Sequence, residues 1–142
     1  MANNGNGNHE LRRNWRSRWL SSIEEFADAD AQRRLWLDPT NTNPHYSFGE
    51  YYCCYFDDLN LSDDGYEWAI EDGLVSRQEV EAVLEFHRVA RAYHERGTPY
   101  DNDEAVLADP KWGEVVNAAK QAQASLLLLI DDPLERRLLL EP

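Results

Sequence analysis

The sequence predicts an all-α fold: one compact domain built as a bundle of about six helices. Three observations predict it. Apolar residues recur every three to four positions over long stretches. Helix-starting and helix-stopping residues sit at the ends of those stretches. No segment alternates apolar and polar residues as a half-buried strand would, and no hairpin turn signal or internal repeat is present.

The elements follow in order. Residues 1–8, MANNGNGN, hold no apolar residue after Ala2 and read as a flexible tail ahead of a single domain over residues 9–142. From Leu11 the positions Leu11, Trp15, Trp19, Ile23 and Phe26 or Ala27 make one helix face, with Arg12, Arg13, Arg16 and Arg18 off that stripe. A short helical stretch from Ala29 to Leu37 continues or kinks this helix, and Asp38 to Pro44 is a loop. Ser47 with Glu50 forms a capping box that opens a helix from Phe48 to Leu59. That helix carries Phe48, Tyr51, Tyr52, Tyr55 and Phe56 on most of its sides, so it belongs at the core. A short helix runs from about Tyr66 to Glu71 and stops at Gly73. Ser76 with Glu79 starts the clearest helix, Arg77 to Arg96, stopped by Gly97. Asp101 or Asn102 caps a turn around Glu104 to Leu107. Asp109-Pro110 opens a helix to Ile130, and Asp132-Pro133 opens a last one, Leu134 to Leu140.

Composition bounds the function. The longest uninterrupted apolar run is Leu126 to Ile130, far short of the roughly 18 residues of a membrane span. The N-terminus lacks the apolar region of a secretory signal, so the expected location is the cytoplasm. The only cysteines, Cys53 and Cys54, are adjacent. On a helix they point about 100° apart, which suits neither a mutual disulfide nor a zinc site, so they read as small core-filling residues. A net charge of −13 opposes direct nucleic-acid binding and docking to anionic membranes.

Candidate chemistry is sparse. Asn60 to Glu71 has the outline of a calcium loop, with Asn60, Ser62, Asp64, Gly65 and Glu71 at the ligand and turn positions. Asn in place of the first Asp, Glu67 at the eighth position and the early break at Gly73 oppose it. His87 and His94 are two helical turns apart, roughly 10 Å, too far to share one ion. No nucleophile elbow, phosphate loop or catalytic metal motif is present, so neither a catalytic residue nor a cofactor is expected.

The strongest signal is a charge asymmetry. Residues 38–76 carry nine acidic residues and no Lys or Arg. Within them the acidic turn and short helix contribute Asp57, Asp58, Asp63, Asp64, Tyr66, Glu67, Trp68, Glu71 and Asp72. Like charges gathered this closely repel one another, and such a patch steers a cationic partner toward it. Tyr and Trp among the acids are the residue types that dominate binding hot spots.

The run from Phe56 to Ala119, with its acidic turn before Gly73, the FHRVARAY helix (Phe86 to Tyr93) and the later DPKW (Asp109 to Trp112), resembles small bacterial immunity proteins of polymorphic or contact-dependent toxin systems. The resemblance implies a cytosolic inhibitor, not an enzyme, that binds a cognate toxin through the acidic residues named above. A basic toxin, such as an enzyme acting on nucleic acid, would match that charge. The alternative reading is an acidic nucleic-acid mimic that inhibits restriction or CRISPR effectors, which requires carboxylates spaced like phosphates along one face.

Overall fold

The computed structural model describes residues 3–61, 65–95 and 102–142, and the side chains of 9–61, 65–93 and 102–142. Among the described residues there are eight helices and no strand: α1 (Asn3–Ala27), α2 (Ala29–Trp36), α3 (Phe48–Phe56), α4 (Glu67–Glu71), α5 (Arg77–Glu95), α6 (Asp103–Ala108), α7 (Pro110–Leu127) and α8 (Pro133–Leu140). The all-α class holds. The count exceeds six because Asp28 separates α2 from α1 and Asn102 caps α6 as a short helix of its own.

Each boundary has a local cause. Asp28 ends α1 and caps α2, its carboxylate accepting from the Ala31 amide at 3.0 Å. The backbone of α1 is helical from Asn3, so the helix runs into the segment read as tail. Ser47 accepts from the Glu50 amide at 3.2 Å, but the other half of that capping box is missing. The Ser47 N–H donates instead to the His45 carbonyl at 3.1 Å, and Asp103, at the start of α6, accepts from the Phe48 amide at 3.0 Å and ties two helix starts together. The box at Ser76 is complete, with Glu79 N–H on Ser76 Oγ and Ser76 N–H on Glu79 Oε1. α3 stops at Phe56, three residues early, because the Asp57 and Asp58 amides both turn back to the Cys53 carbonyl and Asn60 takes a left-handed conformation with φ 57°. α7 stops at Leu127, where Arg136 Nη1 takes the Leu127 and Ile130 carbonyls at 2.6 and 2.9 Å. The expected stop at Gly97 and the Asp101 cap lie outside the described residues.

The core forms where α1, α3, α5 and α7 meet. Trp19, Phe26, Phe48, Tyr51, Tyr55 and Phe86 are all at most 2% exposed. Phe26 sits at 5.2–6.4 Å, ring to ring, from Tyr51, Tyr55, Phe86 and Trp112. These tilted and edge-on geometries are the favourable ones for aromatic pairs. The aromatic helix α3 is thus the central element its composition predicts. The two cysteines inside it are only half-buried, so they are not core-filling residues.

A polar thread crosses this core. Trp19 Nε1 donates to the Tyr66 hydroxyl at 2.9 Å, the Tyr66 and Tyr55 hydroxyls meet at 2.5 Å, and Tyr55 meets His87 Nδ1 at 2.9 Å. Burial, with the charge of Arg91, pushes the His87 imidazole down to about 4. It is therefore a neutral, hydrogen-bonded core histidine at physiological pH.

Candidate functional site

The acidic surface is assembled by two tryptophans. Trp15 on α1 donates its indole N–H to the Leu59 carbonyl at 3.2 Å, and Trp68 on α4 donates to the Asn60 carbonyl at 2.8 Å. The two rings meet edge to face with centroids 6.1 Å apart. Both indoles thus grip the turn after α3, which brings Asp57 and Asp58 to the same region as α4. Arg12 Nε donates to the Gly73 carbonyl at 2.9 Å and Arg16 Nη1 to the Leu74 carbonyl at 2.9 Å, fixing the chain as it leaves α4. Gly73 sits at φ 76°, a conformation that closes the short helix and disfavours side chains with a Cβ.

The predicted residues divide into three groups. Asp57, Asp58, Glu67, Glu71 and Asp72 are exposed, and Trp68 is half-buried among them. Asp63 and Asp64 lie outside the described residues, as do Ser62 and Asp64 of the calcium-loop reading. Tyr66 is a correction. It is 4% exposed, its hydroxyl held by Trp19 and Tyr55, so it stabilises the base of the surface and is not available to a partner. Adjacency in the sequence places Tyr66 beside acids but does not say on which side of the short helix it falls.

Beside α4 lies an open groove of about 790 Å³ lined by His9, Leu11, Arg12, Trp15, Trp68, Asp72 and Leu74. Trp15, Trp68 and Leu74 make one side of it apolar and aromatic, Leu11 adds a side chain 67% exposed, and Arg12 and Asp72 bring charges of both signs. The only ion pair to reach α4 among the described residues is Arg77 to Glu67, at 3.7 Å with both side chains about two-thirds exposed. Such a contact is worth little, so the Glu67 carboxylate is effectively unneutralised.

The structure also brings together residues that the sequence reading kept apart. His45 Nε2 meets Glu25 Oε2 at 2.5 Å, and its Nδ1 faces Cys54 Sγ at 3.8 Å. A Cys–His–carboxylate row has the outline of a nucleophilic site. Its electrostatics run the other way. Burial pushes the Cys54 thiol up to about 11, and Asp58, Glu25 and Glu50 add to the shift. Cys54 also stands in the last turn of α3, where the helix dipole disfavours a thiolate. The row therefore anchors the 38–46 loop onto α1 and α3. Nothing in the spacing of residues 25, 45 and 54 signals it, because the loop alone joins them. Among the described residues no three His, Cys, Asp or Glu side chains converge as a metal site, and no helix is long and apolar enough to cross a membrane.

A family model described as a domain of unknown function (DUF7945) matches residues 12–133. The chain belongs to that family. The DUF7945 match spans the two gripping tryptophans, α4 and the capping box at Ser76, so the whole acidic surface lies inside the family domain. No curated protein and no solved structure matches the chain.

Proposed function

We propose that the protein is an immunity protein that binds and neutralises a cognate bacterial toxin, acting by occupation and not by catalysis. The observation that carries the reading is the groove of Trp15, Trp68 and Leu11 beside the exposed carboxylates of Asp57, Asp58, Glu67, Glu71 and Asp72. It combines an apolar aromatic face, which supplies affinity, with neighbouring exposed carboxylates, which supply steering. The family resemblance over Phe56 to Ala119 points the same way. A basic enzyme whose active-site arginines normally hold phosphate is the matching target, because carboxylates pair bidentately with the same guanidinium groups.

The direct experiment is to read the locus for an adjacent gene of a large secreted protein with a variable C-terminal domain and to co-express that domain with this chain. Rescue of growth is the expected outcome, and continued killing at comparable expression counts against the reading. For the interface, Glu67→Lys with Glu71→Lys and Asp72→Lys is expected to leave the circular dichroism spectrum unchanged, since all three side chains are exposed. Surface plasmon resonance at low salt should then show association slowed by about tenfold or more, with a smaller change in dissociation. An unchanged association rate would move the interface off this surface.

A further inference from the structure

The rings of Trp15 and Trp68 in the groove beside α4 stand at 89° to one another, so they form a corner. Each spends its only hydrogen-bond donor on the chain itself, Trp15 on the Leu59 carbonyl and Trp68 on the Asn60 carbonyl. What the corner turns to solvent is therefore ring carbon. Trp15 is backed by Trp19, stacked at 5.7 Å with 28° between the planes, so the corner is held in place without a partner. Both rings are only half-buried, which leaves part of each open.

Asp72 lines the same groove one helical turn after Trp68, and its carboxylate joins no ion pair or side-chain hydrogen bond among the described residues. Leu11 and Leu74 flank the rings. Arg12 and His9 line the groove as well, and Arg12 is held through Nε by the Gly73 carbonyl. Around it Asp57, Asp58, Glu67, Glu71 and Asp72 are all exposed, against Arg12 and the Arg77 that faces Glu67, so the surroundings are acidic on balance.

We propose that this corner receives an arginine side chain of the partner protein. The inference rests on the groove being the partner-binding surface and names the group bound there. A guanidinium is flat, weakly hydrated and always charged, so it stacks on an indole face while its N–H groups reach a carboxylate. Trp15 and Trp68 supply the faces, Asp72 the carboxylate, and Leu11 and Leu74 an apolar flank for the methylene stem. An ammonium has no flat face and holds its water more tightly, so lysine gains less here. The groove, at about 790 Å³, falls within the roughly 300–1,000 Å³ of pockets for drug-sized molecules, so it admits the side chain with adjoining backbone. The chain makes the same kind of contact internally: Arg16 lies over Trp19, 5.5 Å from the ring centroid, while bound to the Glu79 and Glu135 carboxylates. The corner offers those parts outward with the cation left to be supplied.

The test is isothermal titration calorimetry of the full chain at low salt against a nona-arginine peptide and, separately, a nona-lysine peptide of equal charge. Tighter binding of the arginine peptide by about tenfold or more is expected, since steering by charge alone treats the two alike. Trp68→Leu should remove that preference. Trp68→Phe loses the same indole hydrogen bond but keeps a ring face, so it should retain much of the preference; the pair separates stacking from loss of the grip on Asn60. Asp72→Asn, with an unchanged circular dichroism spectrum, should weaken the arginine peptide more than the lysine peptide, whereas Glu104→Gln, an exposed acid on α6, should alter neither. Equal affinity for the two peptides, or a Trp68→Leu variant that keeps the parent's preference, overturns the proposal. Growth rescue by co-expression reads the immunity function separately: rescue without an arginine preference overturns the arginine corner alone, and a preference without rescue upholds the corner and assigns it to a different basic partner.

Discussion

Arg16→Ala is expected to destabilise the protein by about 3–5 kcal/mol, read as a fall in the urea midpoint, because it breaks a buried ion cluster from one side. Arg16 is 3% exposed, although its place beside the apolar stripe of α1 marks it as a surface residue. Its guanidinium donates to both Glu79 oxygens at 2.9 and 2.7 Å, to both Glu135 oxygens at 2.7 and 3.1 Å, and to the Leu74 carbonyl at 2.9 Å. It also lies over the Trp19 ring, 5.5 Å from its centroid. Alanine would leave two carboxylates facing one another without a cation. If exposed charge were all that is lost, the change would stay below about 1 kcal/mol. The same variant should speed amide exchange at Leu74 and Val75, since Arg16 holds the chain leaving α4. A stability loss with unchanged exchange there would separate the ion cluster from the acidic surface.

The cluster also fixes a pH signature. Burial works to raise the Glu79 carboxyl, but the Arg16 hydrogen bonds, the Ser76 amide and the charges of Arg16 and Arg12 overcome it and hold the group below its ordinary 4.5. Its folded value is depressed, so its contribution is complete above 4.5 and is lost as pH falls through the folded value. His87 adds to this on the acid side: the unfolded chain takes up its proton near 6.5, the folded chain only near 4, so stability falls between them. Glu24 acts oppositely. Its folded value is raised, so its contribution is complete below 4.5 and is lost as pH rises toward about 7. The melting temperature is therefore expected to fall less steeply above pH 5 than below 4, and Glu24→Gln should raise it at pH 8 while leaving it unchanged at pH 4.

Local signals carried most of the fold. Asp28, Ser47, Ser76, Asn102, Asp109 and Asp132 all cap helices through their own side chains, and capping is a short-range property that spacing reveals. The aromatic helix was legible because burial on all sides leaves a composition that no surface helix shares. Long-range partners were not. The burial of Arg16 depends on Glu79 and Glu135, at sequence separations of 63 and 119, and nothing near Arg16 encodes them. Of the candidate site, the charge was readable and its assembly was not: Trp15 joins the acidic turn from 44 residues away. Tyr66 shows the same limit inside the site, since its partner Trp19 lies 47 residues off.

Trp112→Ala is expected to cost about 4 kcal/mol or more, lowering the melting temperature by about 10–20 °C. Trp112 is 2% exposed and stands between the two ends of the chain's core. Its ring lies 5.3–5.9 Å from Phe26, Trp36, Phe48 and Tyr93, so removing it opens a cavity walled by four aromatic groups. Rigid rings close such a space poorly, which puts the loss at the upper end of the range for large-to-small changes. A second term is polar. Trp112 Nε1 donates to Gln32 Oε1 at 2.9 Å, and Gln32 is fully buried, its amide nitrogen already spent on the Glu25 and Phe26 carbonyls. Trp112→Phe isolates that term: it keeps most of the volume and orphans the Gln32 oxygen, for an expected loss of about 1–3 kcal/mol. Adding Gln32→Leu to Trp112→Phe removes the orphaned oxygen but also the amide that closes the end of α1, so it should restore only part of the loss. Full restoration would mean the Gln32 bonds to α1 contribute nothing, and a Trp112→Phe variant as unstable as Trp112→Ala would mean the hydrogen bond, not the ring, holds α2 to α7.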